Sequence, residues 1–97
     1  TSVILDDEET EFMIRINENW EFEPSEINAK EGSSILITFV NELPADHDIK
    51  IGDSIEITVS RTETVELTIT GTAPIQFYAP ADIILGHTGM TGRILIN

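Results

Sequence analysis

The sequence predicts an all-β protein, a two-layer β-sandwich of seven or eight short strands. Three observations support this class. Apolar and polar residues alternate along several short stretches, which is the period of a half-buried strand. Thr and Ile, both suited to a pleated surface, are abundant. No stretch of ten residues shows a clear helical period.

The predicted strands follow one another at short intervals. Four stretches alternate between apolar and polar residues, with apolar positions at Phe12-Ile14-Ile16, Ile35-Ile37-Phe39, Ile55-Ile57-Val59 and Val65-Leu67-Ile69. A fifth stretch, GRILIN (92–97), is short and β-prone. KEGS (30–33) and IGDS (51–54) predict turns, and the second joins two strands. ELPADHD (42–48) and APADIILGH (79–87) predict loops carrying proline.

Length and charge limit the number of domains and the kinds of partner that the chain can have. A chain of 97 residues, about 40% apolar, is enough for a single domain over 1–97 with one core. The acidic N-terminal segment 1–11, which includes DDEETE (6–11), is expected to be solvated. With 18 acidic and 5 basic residues the formal charge is -13, which argues against binding to nucleic acid or to anionic membranes. The charge fits a very soluble protein, a cationic partner protein or a high-salt habitat, and the simplest interpretation is a solvated acidic surface.

Absent motifs exclude several functions. The chain has no cysteine, so disulfides, thiolate zinc sites and cysteine nucleophiles are excluded. No apolar run reaches the roughly 20 residues of a membrane span, so no direct membrane insertion of this segment is expected. There is no G-x-S-x-G motif and no Gly-rich phosphate loop, so we do not expect an enzyme.

Three side chains could bind a metal ion. His87 and Met90 stand three residues apart on one predicted loop, and His47 stands on another. Imidazole and thioether together suit copper, the thioether favouring Cu(I), whereas calcium and magnesium prefer oxygen. A polar loop histidine and a core methionine would give the same pattern without any metal.

The order of these features resembles the cupredoxin family over most of the chain. FEPSEINAKEGSSILITFVNE (22–42) is similar to the family's opening strands, ADHDIKI (45–51) to the segment of its first copper histidine, and FYAPADIILGHTGMTGRILI (77–96) to its C-terminal ligand loop. The resemblance implies a Greek-key β-sandwich, a copper protein of electron transport and an extracytoplasmic location, periplasmic or at the cell surface. It also allows a membrane tether in the full-length protein.

Within the family, the loop spacing resembles the binuclear CuA domains of cytochrome c oxidase subunit II and nitrous oxide reductase. His87-x2-Met90-x-Gly92 keeps their register, and the two bridging cysteines fall at Ala79 and Ile83. The resemblance therefore implies His47, His87 and Met90 as surviving ligands. Without thiolates, a competent binuclear CuA centre and a blue copper centre are both excluded.

Three interpretations remain open. In the first, the three ligands bind one copper ion, with water or an oxygen of Asp46, Asp48 or Asp82, for copper handling or slow redox chemistry. In the second, the domain is metal-free and structural, as in subunit II of quinol-oxidising relatives, and docks on membrane oxidase subunits or a cationic redox partner. In the third, it is an engineered variant from which the cysteines were deleted.

Some of these residues also have an ordinary structural interpretation. His47 would be exposed, with its charge favoured by the flanking Asp46 and Asp48. Asp82 would be solvated, Met90 would lie in the core, and Trp20 would be a core or rim aromatic.

Overall fold

The computed structural model describes residues 11–97, which fold into two packed β-sheets. This part of the chain contains nine strands and one short helix. In chain order they are β1 (Glu11–Ile16), β2 (Phe22–Glu23), β3 (Glu26–Ala29), β4 (Ser34–Asn41), β5 (His47–Ile51), β6 (Ile55–Val59), β7 (Thr62–Thr68), β8 (Ile75–Tyr78), α1 (Pro80–Ile84) and β9 (Thr91–Ile96).

The strands form a four-stranded and a five-stranded sheet. Their orders are β2-β1-β4-β7 and β3-β9-β8-β5-β6. β1 pairs in parallel with β4, and β3 with β9, whereas the other neighbours are antiparallel. Two layers that each bury one face explain the alternation seen in the sequence.

The core lies between the sheets and consists mainly of Ile and Phe. The rings of Phe22, Phe39 and Phe77 meet at its centre, with centroids 5.2–5.9 Å apart. Around them lie the fully buried isoleucines of both sheets, including Ile14, Ile16, Ile35, Ile37, Ile49, Ile51, Ile69 and Ile94. The all-β sandwich prediction is confirmed, and the predicted inward residues of β1 and β4 are in the core, Phe12 at its margin.

The strand count is higher than the seven or eight predicted. One of the strands, β2, has only two residues. A stretch of that length cannot display a period-two pattern, so sequence alternation does not reveal it.

The predicted loop 79–87 is partly wrong, since five of its residues form helix α1. Pro80 stands at its first position, where a missing N–H costs nothing. The helix spans little more than one turn, which is too short to give a helical period in the sequence. No helix within 11–97 is long and apolar enough to cross a bilayer.

The N-terminal prediction falls almost wholly outside the described residues. Positions 1–10 lie outside them, and Glu11 begins β1 as an exposed residue.

Candidate metal centre

His47 is the first residue of β5 and is almost fully buried, with 2% of its surface exposed. Its Nδ1 lies 2.7 Å from Oδ2 of Asp82. A carboxylate only accepts hydrogen bonds, so this nitrogen carries the proton. The Nε2 of the same ring is buried and finds no hydrogen-bond partner among residues 11–97. The imidazole is therefore held by one nitrogen and has the other available for a ligand.

The alternative interpretation of His47 as an exposed residue is wrong, since it is 2% exposed. Asp46 and Asp48 are both exposed, and Asp48 accepts a hydrogen bond from the hydroxyl of Thr58 at 2.7 Å. Because adjacent strand residues point to opposite faces, the two flanking carboxylates face solvent while the imidazole faces inward. The acidic partner of His47 comes from α1, 35 positions later in the chain.

The expectation of a solvated Asp82 is also wrong, since it is 8% exposed. Asp82 is the third residue of α1, and its carboxylate points to β5. Its backbone carbonyl accepts a hydrogen bond from the N–H of His87 at 3.0 Å. One residue thus holds the His47 ring by its side chain and the His87 backbone by its main chain.

The segment after α1 is a compact series of turns. Gly86 has φ 103°, a left-handed conformation that glycine adopts without steric cost, and its N–H bonds to the carbonyl of Ile83. The N–H of Met90 donates to the carbonyl of His87 at 3.1 Å, and the carbonyl of Met90 accepts from the N–H of Ala79 at 3.0 Å. Met90 is fully buried, whereas His87 is half-buried.

Trp20 contacts both histidine rings. Its indole stacks on His87, with centroids 4.1 Å apart and an interplanar angle of 9°. It meets His47 edge to face, with centroids 5.5 Å apart and an angle of 83°. The structure thus brings both predicted histidines to one indole, although they are forty positions apart in the sequence.

The backbone of Trp20 is strained, with φ 61°. A bulky residue in the left-handed region is rare and costs about 1–3 kcal/mol, and such residues concentrate at functional sites. From the sequence, only a core or rim aromatic is expected at this position. The polar run NEN before Trp20 predicts a turn, but nothing in it identifies the contact with the histidines.

The two positions that the resemblance to CuA domains assigned to bridging cysteines provide no side-chain donor atom. Ala79 is fully buried, and Ile83 is half-buried against the core. Within the described chain there is no cluster of three His, Cys, Asp or Glu side chains able to hold a metal ion. A metal bound here would therefore need the Met90 thioether in addition to the imidazoles.

The donor set fits copper. The buried Nε2 of His47, the His87 imidazole and the Met90 thioether are neutral and comparatively soft, which suits Cu(I). The bond from Nδ1 of His47 to Asp82 has the form usual for metal-binding histidines, which donate their second N–H to a carboxylate.

Comparison with known proteins identifies the fold. No family model matches the chain, and no curated protein matches it. Reduced auracyanin of Roseiflexus castenholzii superposes with a TM-score of 0.75 at 17% identity, covering 91% of this chain and 97% of its own.

Two further solved structures agree. The metal-binding domain of the Cu(I)-exporting P-type ATPase of Streptococcus pneumoniae, solved with Cu(I), gives a TM-score of 0.70 at 17% identity and covers 97% of this chain and 91% of its own. A purple cupredoxin of Nitrosopumilus maritimus gives 0.63 at 15% identity, covering 88% and 98%.

The domain therefore has a cupredoxin-like fold, as the sequence predicted. Identities of this size establish the fold alone. The closer resemblance to CuA domains stays a prediction.

Proposed function

We propose that this domain binds one copper ion through His47, His87 and Met90, as a thiolate-free site on a cupredoxin-like fold. The observation that carries the proposal is the buried Nε2 of His47, for which residues 11–97 supply no hydrogen-bond partner. A buried polar atom without a partner is costly, and a bound metal ion would remove that cost.

The roles of the residues follow from their contacts. The Asp82 carboxylate accepts a hydrogen bond from the Nδ1–H of His47, so the lone pair of the ring lies on Nε2. The carbonyl of Asp82 and the turn from His87 to Met90 fix the backbone of the second histidine. Met90, fully buried, adds a thioether that favours the monovalent ion.

Copper bound here would be a soft cation with a one-electron Cu(I)/Cu(II) couple. Electron transfer through it would be slow, because no thiolate is bound to the metal. The role we propose is copper handling rather than rapid electron transfer. The Cu(I)-bound ATPase domain with this fold supports that choice. No catalytic step is part of the proposal.

The proposal includes an extracytoplasmic location and a cationic partner protein. The chain has 18 acidic and only 5 basic residues, and this negative charge supports a cationic partner. Because exposed charges are screened, association should weaken as salt is raised.

The test is a titration of the metal-free protein with Cu(I) and Cu(II), followed by NMR of both imidazole rings and the Met90 methyl group. We expect one equivalent to shift all three together, and His87→Ala to abolish tight binding. Met90→Leu should weaken binding, while Met13→Leu, at the only other methionine and 61% exposed, should not. Undiminished binding in the His87→Ala variant would contradict the three-ligand site.

A metal-free docking domain is the second candidate, and one observation favours it. Ile84 and Leu85, at the end of α1, are 84% and 75% exposed beside the candidate site. An exposed apolar tip on an acidic surface is typical of a protein-binding face. The absence of saturable copper binding together with salt-sensitive association would favour this candidate.

A further inference from the structure

Each histidine of the candidate site is held by a different residue. Asp82 holds the His47 ring through a hydrogen bond. The side chain of His87 makes no hydrogen bond among residues 11–97, and the contact that orients its ring is the stack on Trp20 at 4.1 Å. The two holders come from opposite ends of the described chain.

His87 needs such a holder because its segment has little else to fix a side chain. It follows Gly86, precedes Thr88 and Gly89, and is half-buried. An imidazole that rotates freely must be immobilised when a metal binds, and that loss of freedom weakens affinity. A ring that is already oriented avoids the loss.

The loop that carries Trp20 is built by Asn17. Oδ1 of Asn17 accepts hydrogen bonds from the N–H groups of Asn19 at 3.0 Å and Glu21 at 3.2 Å, and its Nδ2 donates to Glu23 at 2.9 Å. The N–H of Trp20 also bonds to the carbonyl of Asn17 at 3.0 Å. These bonds hold Trp20 in its left-handed conformation at the end of the turn.

This loop packs closely on the segment that carries His87. A Cβ atom placed on Gly89 would lie 2.6 Å from Cγ of Glu21 and 3.4 Å from the carbonyl oxygen of Trp20. A side chain at Gly89 would therefore require the Glu21 side chain to move. The loop of Trp20 and the segment of His87 are thus in direct contact at Gly89.

We propose that Trp20, supported by Asn17, is a positioning residue that sets the orientation of the His87 ring for binding a soft monovalent metal ion. The part concerning the metal rests on the proposed function. The part concerning the ring does not, since the stack is a contact between two side chains of this domain.

The experiment uses Trp20→Ala, Trp20→Phe and Asn17→Ala, with Asn19→Ala as the matched control. Asn19 is an exposed asparagine of the same turn that joins it through its backbone N–H. Two quantities are measured: the chemical shifts of the His87 ring protons without metal, and the affinity for Ag(I), a redox-inert probe for Cu(I).

In the Trp20→Ala variant we expect the His87 ring protons to move downfield, because the ring current of the stacked indole is lost. Affinity for Ag(I) should fall roughly three- to tenfold, the range that one aromatic pair supplies. Trp20→Phe should restore most of both quantities. Asn17→Ala should shift both in the same direction, and Asn19→Ala should change neither.

The outcomes separate the two proposals. Absence of Ag(I) and copper binding in the wild type would end the proposed function, while the ring shifts would still decide the role of Trp20. Unchanged ring shifts in Trp20→Ala, or unchanged Ag(I) affinity in a wild type that binds, would overturn the positioning role. If Trp20→Ala does not fold, Trp20→Leu provides the same comparison.

Discussion

Asp82 contacts both histidines of the candidate site by two different groups. Its carboxylate lies 2.7 Å from Nδ1 of His47, and its backbone carbonyl lies 3.0 Å from the backbone nitrogen of His87. Helix α1 is short, but it places a buried acid between the segments that carry His47 and His87. The integrity of the site should therefore depend on this residue.

Replacing Asp82 tests that dependence. Asp82→Ala should lower the free energy of unfolding by about 1–3 kcal/mol, because it leaves the buried Nδ1–H of His47 without its acceptor. Asp82→Asn keeps an acceptor oxygen and should cost less. Urea unfolding measures both. Asp46→Ala, at an exposed acid beside His47, should change stability by no more than about 0.5 kcal/mol. Equal effects of Asp82→Ala and Asp46→Ala would contradict the buried pair.

The left-handed backbone of Trp20 predicts an unusual order of two substitutions. Glycine at this position relieves the strain of φ 61°, worth about 1–2 kcal/mol, against an unfolded-state entropy cost of about 0.4–1 kcal/mol. Trp20→Gly should therefore be more stable than Trp20→Ala. The same pair at Asn19, which lies outside the left-handed region, should show the reverse order in thermal unfolding. The same order at both positions would contradict the strain.

Introducing a thiolate should change the metal chemistry. Ala79→Cys would place a sulfur at the fully buried position before α1, whose backbone N–H bonds to the carbonyl of Met90. Two histidines, one thiolate and a weak methionine form the ligand set of blue copper sites. We expect Cu(II) to give this variant an intense visible absorption that the wild type lacks. Ala73→Cys, at an exposed alanine of the loop before β8, is the control and should remain pale, and equal colour in both variants would contradict the site.

Gly92, two residues after Met90, predicts a packing effect. A Cβ atom there would lie 2.6 Å from the carbonyl oxygen of Ser25 and against the ring of Phe77. Gly92→Ala should therefore destabilise the protein by about 1–3 kcal/mol, measured by urea unfolding. Gly71→Ala is the matched control, because a Cβ atom at Gly71 would have nothing within 4 Å. A smaller cost at Gly92 than at Gly71 would refute this packing argument.

The pair of Arg15 and Glu42 predicts a pH dependence. The hydrogen bond from Arg15 holds the pKa of Glu42 below its ordinary value of 4.5, and partial desolvation of the carboxylate opposes this. The same bond raises the pKa of Arg15. A lowered carboxyl pKa stabilises the fold above pH 4.5, and this stabilisation is lost as the pH falls through the folded-state value.

Glu42→Gln should therefore narrow the stability difference between neutral and acid pH, as followed by urea midpoints. The effect should be small, since both side chains are substantially exposed. Glu18→Gln, at an exposed glutamate of the neighbouring turn, is the control. A Glu42→Gln variant whose midpoints follow the wild type at every pH would count against the pair.

Local alternation explains why the strands could be predicted. In β4, every second residue points inward, at Ile35, Ile37 and Phe39, because the pleat of a strand directs successive side chains to opposite faces. The IGDS turn is confirmed as well, since it joins β5 to β6 in antiparallel register. Such features extend over a few residues and need no knowledge of the partner strand.

The contacts of the site could not be predicted in this way. Asp82 and His47 meet across 35 positions, and Trp20 reaches both histidines from another loop. The polar neighbours of His47 in the sequence, Asp46 and Asp48, face solvent instead. A contact that depends on how the two sheets and their loops pack produces no periodic pattern in the sequence.

The sequence by itself determined the all-β class and the absence of any cysteine thiolate, because alternation, turn residues and residue types are local properties. Only the tertiary structure decided that Asp82 is buried on His47, that α1 exists and that Trp20 stacks on His87. Those relations follow from how two sheets and their connecting loops pack together, and packing joins residues irrespective of their separation along the chain.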